Sequence, residues 1–149
     1  MPERTTPARP RVAPLATPPP RVRLGKLMQG GLAPAILAIV ERGARRRPEL
    51  AGRLQVEVEL GVHGGYPPVR ILFEGTTVLV EDGPAAAPDL RVEGQLADLI
   101  SLLVAPLAGG VPLPITARGR AALGMVATRR VRLRGRLGLL RRVLAVIRI

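Results

Sequence analysis

The sequence predicts a single α+β domain in which helices cover one face of a five-stranded mixed sheet. Apolar residues recur at helical spacing in some segments and alternate with polar residues in others. The order along the chain is a helix, three strands, a fourth strand, helices, a fifth strand and a closing helix. Consecutive strands favour antiparallel pairing, whereas the later strand–helix–strand return favours a crossover. A chain of 149 residues that is 47% apolar suits one domain with its own core.

Residues 1–29 are expected to form a disordered, proline- and arginine-rich arm. Residues 1–24 contain seven prolines, and proline lacks the amide hydrogen that helices and sheets need. The folded domain is therefore expected to span residues 30–149, beginning at the Gly30-Gly31 break.

Two sequence patterns place the secondary structure. Strands are expected where apolar and polar residues alternate, as in Leu54 to Leu60. These segments are 53–60, 69–74, 76–80, 88–94 and 130–134. Helices are expected where apolar residues recur every three or four positions. These segments run from Leu32 to the residue before Pro48, from Leu96 to Leu107, over a short stretch at 116–126, and over 136–149.

The closing helix is the most apolar predicted element. Leu137, Leu140, Leu144 and Ile147 lie along one line of it, and Leu139, Val143 and Val146 lie along the neighbouring line. Burying these seven side chains is worth on the order of 10 kcal/mol before entropy is subtracted. The helix must therefore dock on an apolar surface. Three interpretations are open: ordinary core packing, a wall over a ligand cavity, and an interfacial helix at a membrane.

Two short motifs carry a resemblance to a known family. Residues 88–100 (PDLRVEGQLADLI) combine an Asp-apolar-x-apolar-x-Gly strand with an Asp-Leu helix start, and residues 131–140 (VRLRGRLGLL) combine a basic strand, a glycine and a closing helix. In these features residues 30–149 resemble the sterol carrier protein 2 family, a sterol-binding or lipid-transfer fold. The resemblance implies helices that enclose an apolar tunnel and non-covalent binding of acyl chains, sterols or similar molecules. Some relatives resemble accessory proteins that present an isoprenoid-quinone intermediate to a partner enzyme.

A hydrophobic cavity is therefore expected between the apolar helices and the sheet. An apolar ligand would bind there mainly by desolvation, with few polar contacts. The residues expected to line the cavity are Ile36, Leu37, Val40, Leu99, Ile100, Leu103, Leu107, Met125, Leu140, Val143, Leu144 and Ile147.

The charge of the chain is strongly positive, at +12, and residues 118–149 contain ten arginines and no acidic residue. Such a surface attracts phosphates of anionic lipids or of nucleic acids. Nucleic acid is the less expected partner, because Tyr66 and Phe73 alone cannot form a platform for stacking several bases. A polyanion-binding module and a collapsed, purely structural domain are the alternatives to a lipid carrier. The residues expected to contact an anionic surface are Arg130, Arg132, Arg134, Arg141 and Arg142.

Catalysis, metal binding and a cofactor are not expected. The chain has no cysteine, His63 is its single histidine, and Ser101 is its single serine. Neither residue lies in a nucleophile or phosphate-binding motif. No signal peptide or membrane-spanning run is visible in the sequence. We therefore expect a cytoplasmic protein, with peripheral membrane association left open.

Overall fold

The computed structural model describes residues 15–104, 107–108, 111–112, 120, 124 and 130–148. The strands are β1 (Arg21–Leu24), β2 (Gln55–Val62), β3 (Val69–Glu74), β4 (Thr77–Asp82), β5 (Leu90–Gly94), β6 (Leu107–Ala108), β7 (Val111–Pro112) and β8 (Val131–Gly135). The helices with described bounds are α1 (Ala33–Arg46), α2 (Pro48–Gly52), α3 (Leu96–Val104) and α4 (Leu137–Ile147).

The main sheet has six strands in the order β1-β4-β3-β2-β5-β8. Strands β2, β3 and β4 form an antiparallel meander, and β8 runs antiparallel to β5 at one edge. The pairs β1–β4 and β2–β5 are parallel, so the sheet is mixed. The α+β class and the mixed sheet are confirmed.

The expectation of five strands is wrong, because β1 is a sixth strand within the segment assigned to the arm. Residues 21–24 pair with β4 from Arg21 opposite Thr77 to Leu24 opposite Val80. The strand begins directly after Pro20, beyond the prolines that disfavour a sheet. The described part of the predicted arm therefore contributes an edge strand to the domain.

Two predicted elements differ in detail. The helix expected to reach Leu107 ends at Val104, and Leu107 instead begins the short strand β6, which pairs with β7. Of the predicted helix at 116–126, the structure describes Arg120 and Gly124, and both are helical.

One face of the sheet carries the core. The inward residues of β2, β3, β4 and β5 alternate with outward ones and are largely buried, as at Val58, Ile71, Val80 and Leu90. Helices α1, α3 and α4 supply the apolar residues that pack against this face. Because the helices stand on this side, any space left between the layers is lined by apolar side chains.

Candidate functional site

A cavity of about 240 Å³ lies between the helices and the core face of the sheet. Its floor comes from β2, β3 and β5, and its walls come from α1, α3 and α4. Every described residue that lines it is apolar. Two of the residues that line it, Ala35 and Ile100, are exposed, and Ile100 is 47% exposed.

The periodicity of each element explains the lining. The strands contribute alternate residues, such as Leu90 and Val92 of β5, because side chains one apart point to opposite faces. Helix α1 contributes Ile36, Ile39 and Val40, which share one face at spacings of three and four. The sheet and the helices thus present their apolar sides to the same space.

Most of the residues predicted to line a cavity are brought together around this one. They are Ile36, Val40, Leu99, Ile100, Leu103, Leu140, Val143, Leu144 and Ile147. Leu37 is half-buried and packs against the core without lining the cavity. The side chains of Leu107 and Met125 lie outside the described residues.

The floor of the cavity and part of its rim were missing from the prediction. The alternation in β2, β3 and β5 marks inward residues but does not distinguish those that face open space from those covered by a helix. The additional lining residues are Leu32, Ala35, Ile39, Leu60, Val62, Ile71, Leu90, Val92, Leu96 and Leu102.

Helix α1 is fixed at its first turn by a carboxylate from the sheet. Asp82 is 1% exposed and accepts hydrogen bonds from the backbone N–H groups of Met28 and Ala33, each at 3.0 Å. Its negative charge also suits the N-terminus of the helix. A Cβ atom at Gly31 would lie 2.0 Å from Asp82 Oδ2, so only glycine fits beside it.

Helix α1 is fixed at its other end by close approach to α4. A Cβ atom at Gly43 would lie 2.0 Å from the carbonyl oxygen of Val146. The missing side chain therefore allows the two backbones to touch at this crossing. The cavity lies along α1 between these two fixed points.

The outer face of the sheet carries a network of ion pairs. Arg70 pairs with Glu57 and, at 2.7 Å, with Glu81, and Arg91 pairs with Glu59 at 2.9 Å. The hydrogen bond from Arg70, followed by one from the backbone N–H of Lys26, lowers the pKa of Glu81. The hydrogen bonds to Glu57 and Glu81 raise the pKa of Arg70. This network stabilises the sheet on the side away from the cavity.

The five arginines predicted to contact anions divide into two groups. Arg130 lies just before β8 and pairs with the buried Asp98 at 2.8 Å, and Arg132 lies opposite Glu93. Both therefore have carboxylates nearby. Arg134, Arg141 and Arg142 are exposed, and no ion pair among the described residues includes them.

The described residues offer little for chemistry at the cavity. His63 is exposed in the turn after β2, and Ser101 is exposed and donates a hydrogen bond to the carbonyl oxygen of Ala97. Neither residue lines the cavity. Within the described ranges, no group of three or more histidine or acidic side chains is placed to hold a metal ion. None of the helices in those ranges is long and apolar enough to cross a bilayer.

Several solved structures have a fold similar to that of this chain. A structure described as a UbiJ-SCP2 ubiquinone synthesis protein matches with a TM-score of 0.54 and 12% sequence identity, covering 78% of this chain and 84% of that one. A conserved protein from Thermus thermophilus, described as a possible sterol carrier protein, matches with a TM-score of 0.40 and 13% identity over 74% and 85% of the two chains. No family model and no curated protein matches the sequence.

The domain therefore has a fold like that of the sterol carrier protein 2 family. The first of these neighbours covers most of both chains, and the resemblance seen in residues 88–100 and 131–140 is confirmed at the level of the fold.

Proposed function

We propose that the protein binds an apolar small molecule or lipid segment in the cavity and carries it without catalysing a reaction. The observation that supports this most strongly is the wholly apolar space of about 240 Å³. Removing apolar surface from water is worth about 25 cal/mol per Å². A guest that covers the apolar walls of this space would therefore stabilise the folded protein.

The volume suggests a guest, or an inserted part of one, of modest size. Small-molecule sites usually occupy about 300–1,000 Å³, and an apolar cavity of about 150 Å³ suffices for benzene. A short acyl or isoprenoid segment, or one ring system, matches the space. The part of a longer ligand that does not fit in the cavity would extend past Ile100, which is an exposed lining residue.

A carrier role without catalysis is supported by the composition of the lining. General acid–base and nucleophilic catalysis need a titratable or nucleophilic group within hydrogen-bonding distance of the substrate. Among the described residues, none of those that line the cavity carries such a side chain. A guest held there would be shielded from water and left chemically unchanged.

An isoprenoid-quinone intermediate is a specific candidate for the guest. The support is the structural neighbour described as a ubiquinone synthesis protein. Under this proposal the domain presents the intermediate to a partner enzyme. A fatty acyl chain is the alternative guest, and competition between the two classes distinguishes them.

Recovery of a co-purified molecule tests the proposal directly. We expect native mass spectrometry of the purified full chain to reveal an apolar adduct that organic extraction removes. The emptied protein should then bind the neutral probe N-phenyl-1-naphthylamine, and a short-chain ubiquinone should displace it better than a fatty acid does. An adduct-free protein that also fails to bind the probe would contradict the proposal.

Two half-buried leucines provide a matched pair of variants. Leu103 lines the cavity, whereas Leu37 packs on the core outside it. A buried amide without a partner costs about 1–3 kcal/mol. Leu103→Gln should therefore weaken probe binding about tenfold or more, while Leu37→Gln should leave it nearly unchanged. Equal weakening by both variants would place the probe elsewhere.

A further inference from the structure

The start of α4 forms a strongly basic surface, and no carboxylate among the described residues pairs with it. We define the α4 basic surface as Arg136, Leu137, Arg141 and Arg142, all of which are exposed. The last acidic residue of the chain is Asp98, and it pairs with Arg130 outside this surface. No ion pair among the described residues includes any of these three arginines. Their charge is available to an external anion.

An apolar residue stands among these charges. Leu137 is 66% exposed, although its helical position continues the line of Leu140, Leu144 and Ile147. Leu144 and Ile147 are buried, and Leu140 is half-buried in the cavity wall. The apolar line of α4 thus runs from the core, along the cavity, to the surface between the arginines.

This arrangement does not favour the stability of the helix. Cations near a helix N-terminus oppose the macrodipole, whereas acidic residues there support it. Arg136 is the N-cap, no side chain caps the helix, and no acidic residue occurs in its first turn. A locally unfavourable choice of residues is typical of positions selected for function.

We propose that the α4 basic surface docks on a bilayer containing anionic phospholipids, with Leu137 inserted among the acyl chains. Arginine side chains bind lipid phosphates, and an apolar residue between them adds burial at the headgroup boundary. The phosphates of a nucleic acid could pair with the same arginines, but a nucleic acid provides no apolar environment in which to bury Leu137. Docking by itself does not depend on the proposed function. Passage of the guest between the bilayer and the cavity along α4 does rest on it.

Flotation of the full chain with vesicles tests the docking. We expect binding to mixed phosphatidylglycerol and phosphatidylcholine vesicles but not to pure phosphatidylcholine. Each arginine near an anionic surface contributes about 1 kcal/mol, or about fivefold in partition coefficient. The double variant Arg136→Gln with Arg141→Gln should therefore bind about thirtyfold more weakly. Its melting temperature should not fall, because the variant removes a cation from the helix N-terminus.

A second double variant controls for net charge. Arg21 and Arg23 of β1 are exposed at the opposite edge of the sheet, five strand spacings or about 24 Å from β8. This distance exceeds the screening length of about 8–10 Å. Replacing both with glutamine should change the partition coefficient by less than about twofold. An equal loss in the two double variants would overturn a localised docking surface.

The chain contains no tryptophan, so a single introduced one reports insertion. We expect the emission of Leu137→Trp to shift to shorter wavelength with phosphatidylglycerol vesicles. Leu27→Trp, at another exposed leucine (53% exposed) between β1 and α1, should show no shift. If the emission of Leu137→Trp does not shift with vesicles, the docking proposal is overturned. It is also overturned if the protein binds duplex DNA but does not float with vesicles. If the protein binds the naphthylamine probe but not the vesicles, the carrier proposal stands and the docking proposal fails. If it binds the vesicles but not the probe, the docking proposal stands and the carrier proposal fails.

Discussion

Replacing Val92 with phenylalanine tests whether the space above the sheet is available to a guest. Val92 is 6% exposed, lies on β5 and faces the cavity. The change adds about four carbons, and burying each is worth about 0.8 kcal/mol. If the ring fills void, the emptied protein should gain up to about 3 kcal/mol. At roughly 3 °C per kcal/mol for a chain of this size, its melting temperature should rise by up to about 10 °C.

The same variant should lose its guest. A ligand deprived of room for about four carbons forfeits about 3 kcal/mol, which corresponds to a loss of affinity of about a hundredfold. The measurements are calorimetric unfolding of the delipidated protein and titration with the naphthylamine probe. If the variant is more stable and also binds the probe poorly, the loss of binding results from the filled space and not from unfolding.

Val58→Phe is the matched control. Val58 lies on the neighbouring strand β2, is 1% exposed and does not line the cavity. Overpacking a filled core costs about 1–3 kcal/mol, so this variant should melt at a lower temperature. If Val92→Phe destabilises the protein as much as Val58→Phe does, the space is already filled by the protein, and the reasoning from its volume is refuted.

Three further predictions concern the framework around the cavity. Gly43→Ala should lower the free energy of unfolding by about 1–3 kcal/mol, because its Cβ would collide with the backbone of α4, whereas Gly52→Ala, which has open space, should be neutral or slightly stabilising in the same urea titration. Asp82→Ala should cost about 3 kcal/mol or more, since it leaves two backbone N–H groups without their charged acceptor, and a loss below 1 kcal/mol would show that water replaces the carboxylate. Because Arg70 lowers the pKa of Glu81 below its ordinary value of 4.5, the contribution of that pair to stability is complete above about pH 4.5 and is lost as the pH falls through the lowered pKa. Arg70→Met should therefore show a shallower loss of stability below that pH, and a slope equal to that of the parent protein would contradict this assignment.

The sequence predicted the elements whose patterns are local. The alternation in β2, β3, β5 and β8 and the helical spacing in α1 and α4 are visible over five or more residues, and the structure has these elements at nearly the predicted positions. Strand β1 was missed because it has only four residues after a proline-rich stretch, and because its partner β4 lies more than fifty residues later in the chain. Long-range parallel pairing leaves no local signal.

The site was predictable to a similar extent. Apolar spacing identified the inward faces of α1, α3 and α4, and most of the predicted residues line the cavity. The same spacing placed Leu137 in the buried line of α4, but the helix starts beyond the edge of the core and leaves it exposed. Whether an apolar face meets another face or an empty space depends on the distance between elements, which periodicity does not encode.

The distance between α1 and the sheet has an identifiable cause in this protein. Asp82 holds the first turn of α1 through the N–H of Ala33, and Gly43 brings the last part of the helix against the backbone of Val146. The first contact is a hydrogen bond of 3.0 Å to the sheet, and the second is close packing of two helix backbones, so a shift of either end of α1 would disturb one of them. A helix held at both ends closes the gap between them only by bending sharply, and sharp bends need a proline, a glycine–serine pair or a bulge. The cavity is therefore maintained by contacts outside its lining, and we expect it to persist when no guest is bound.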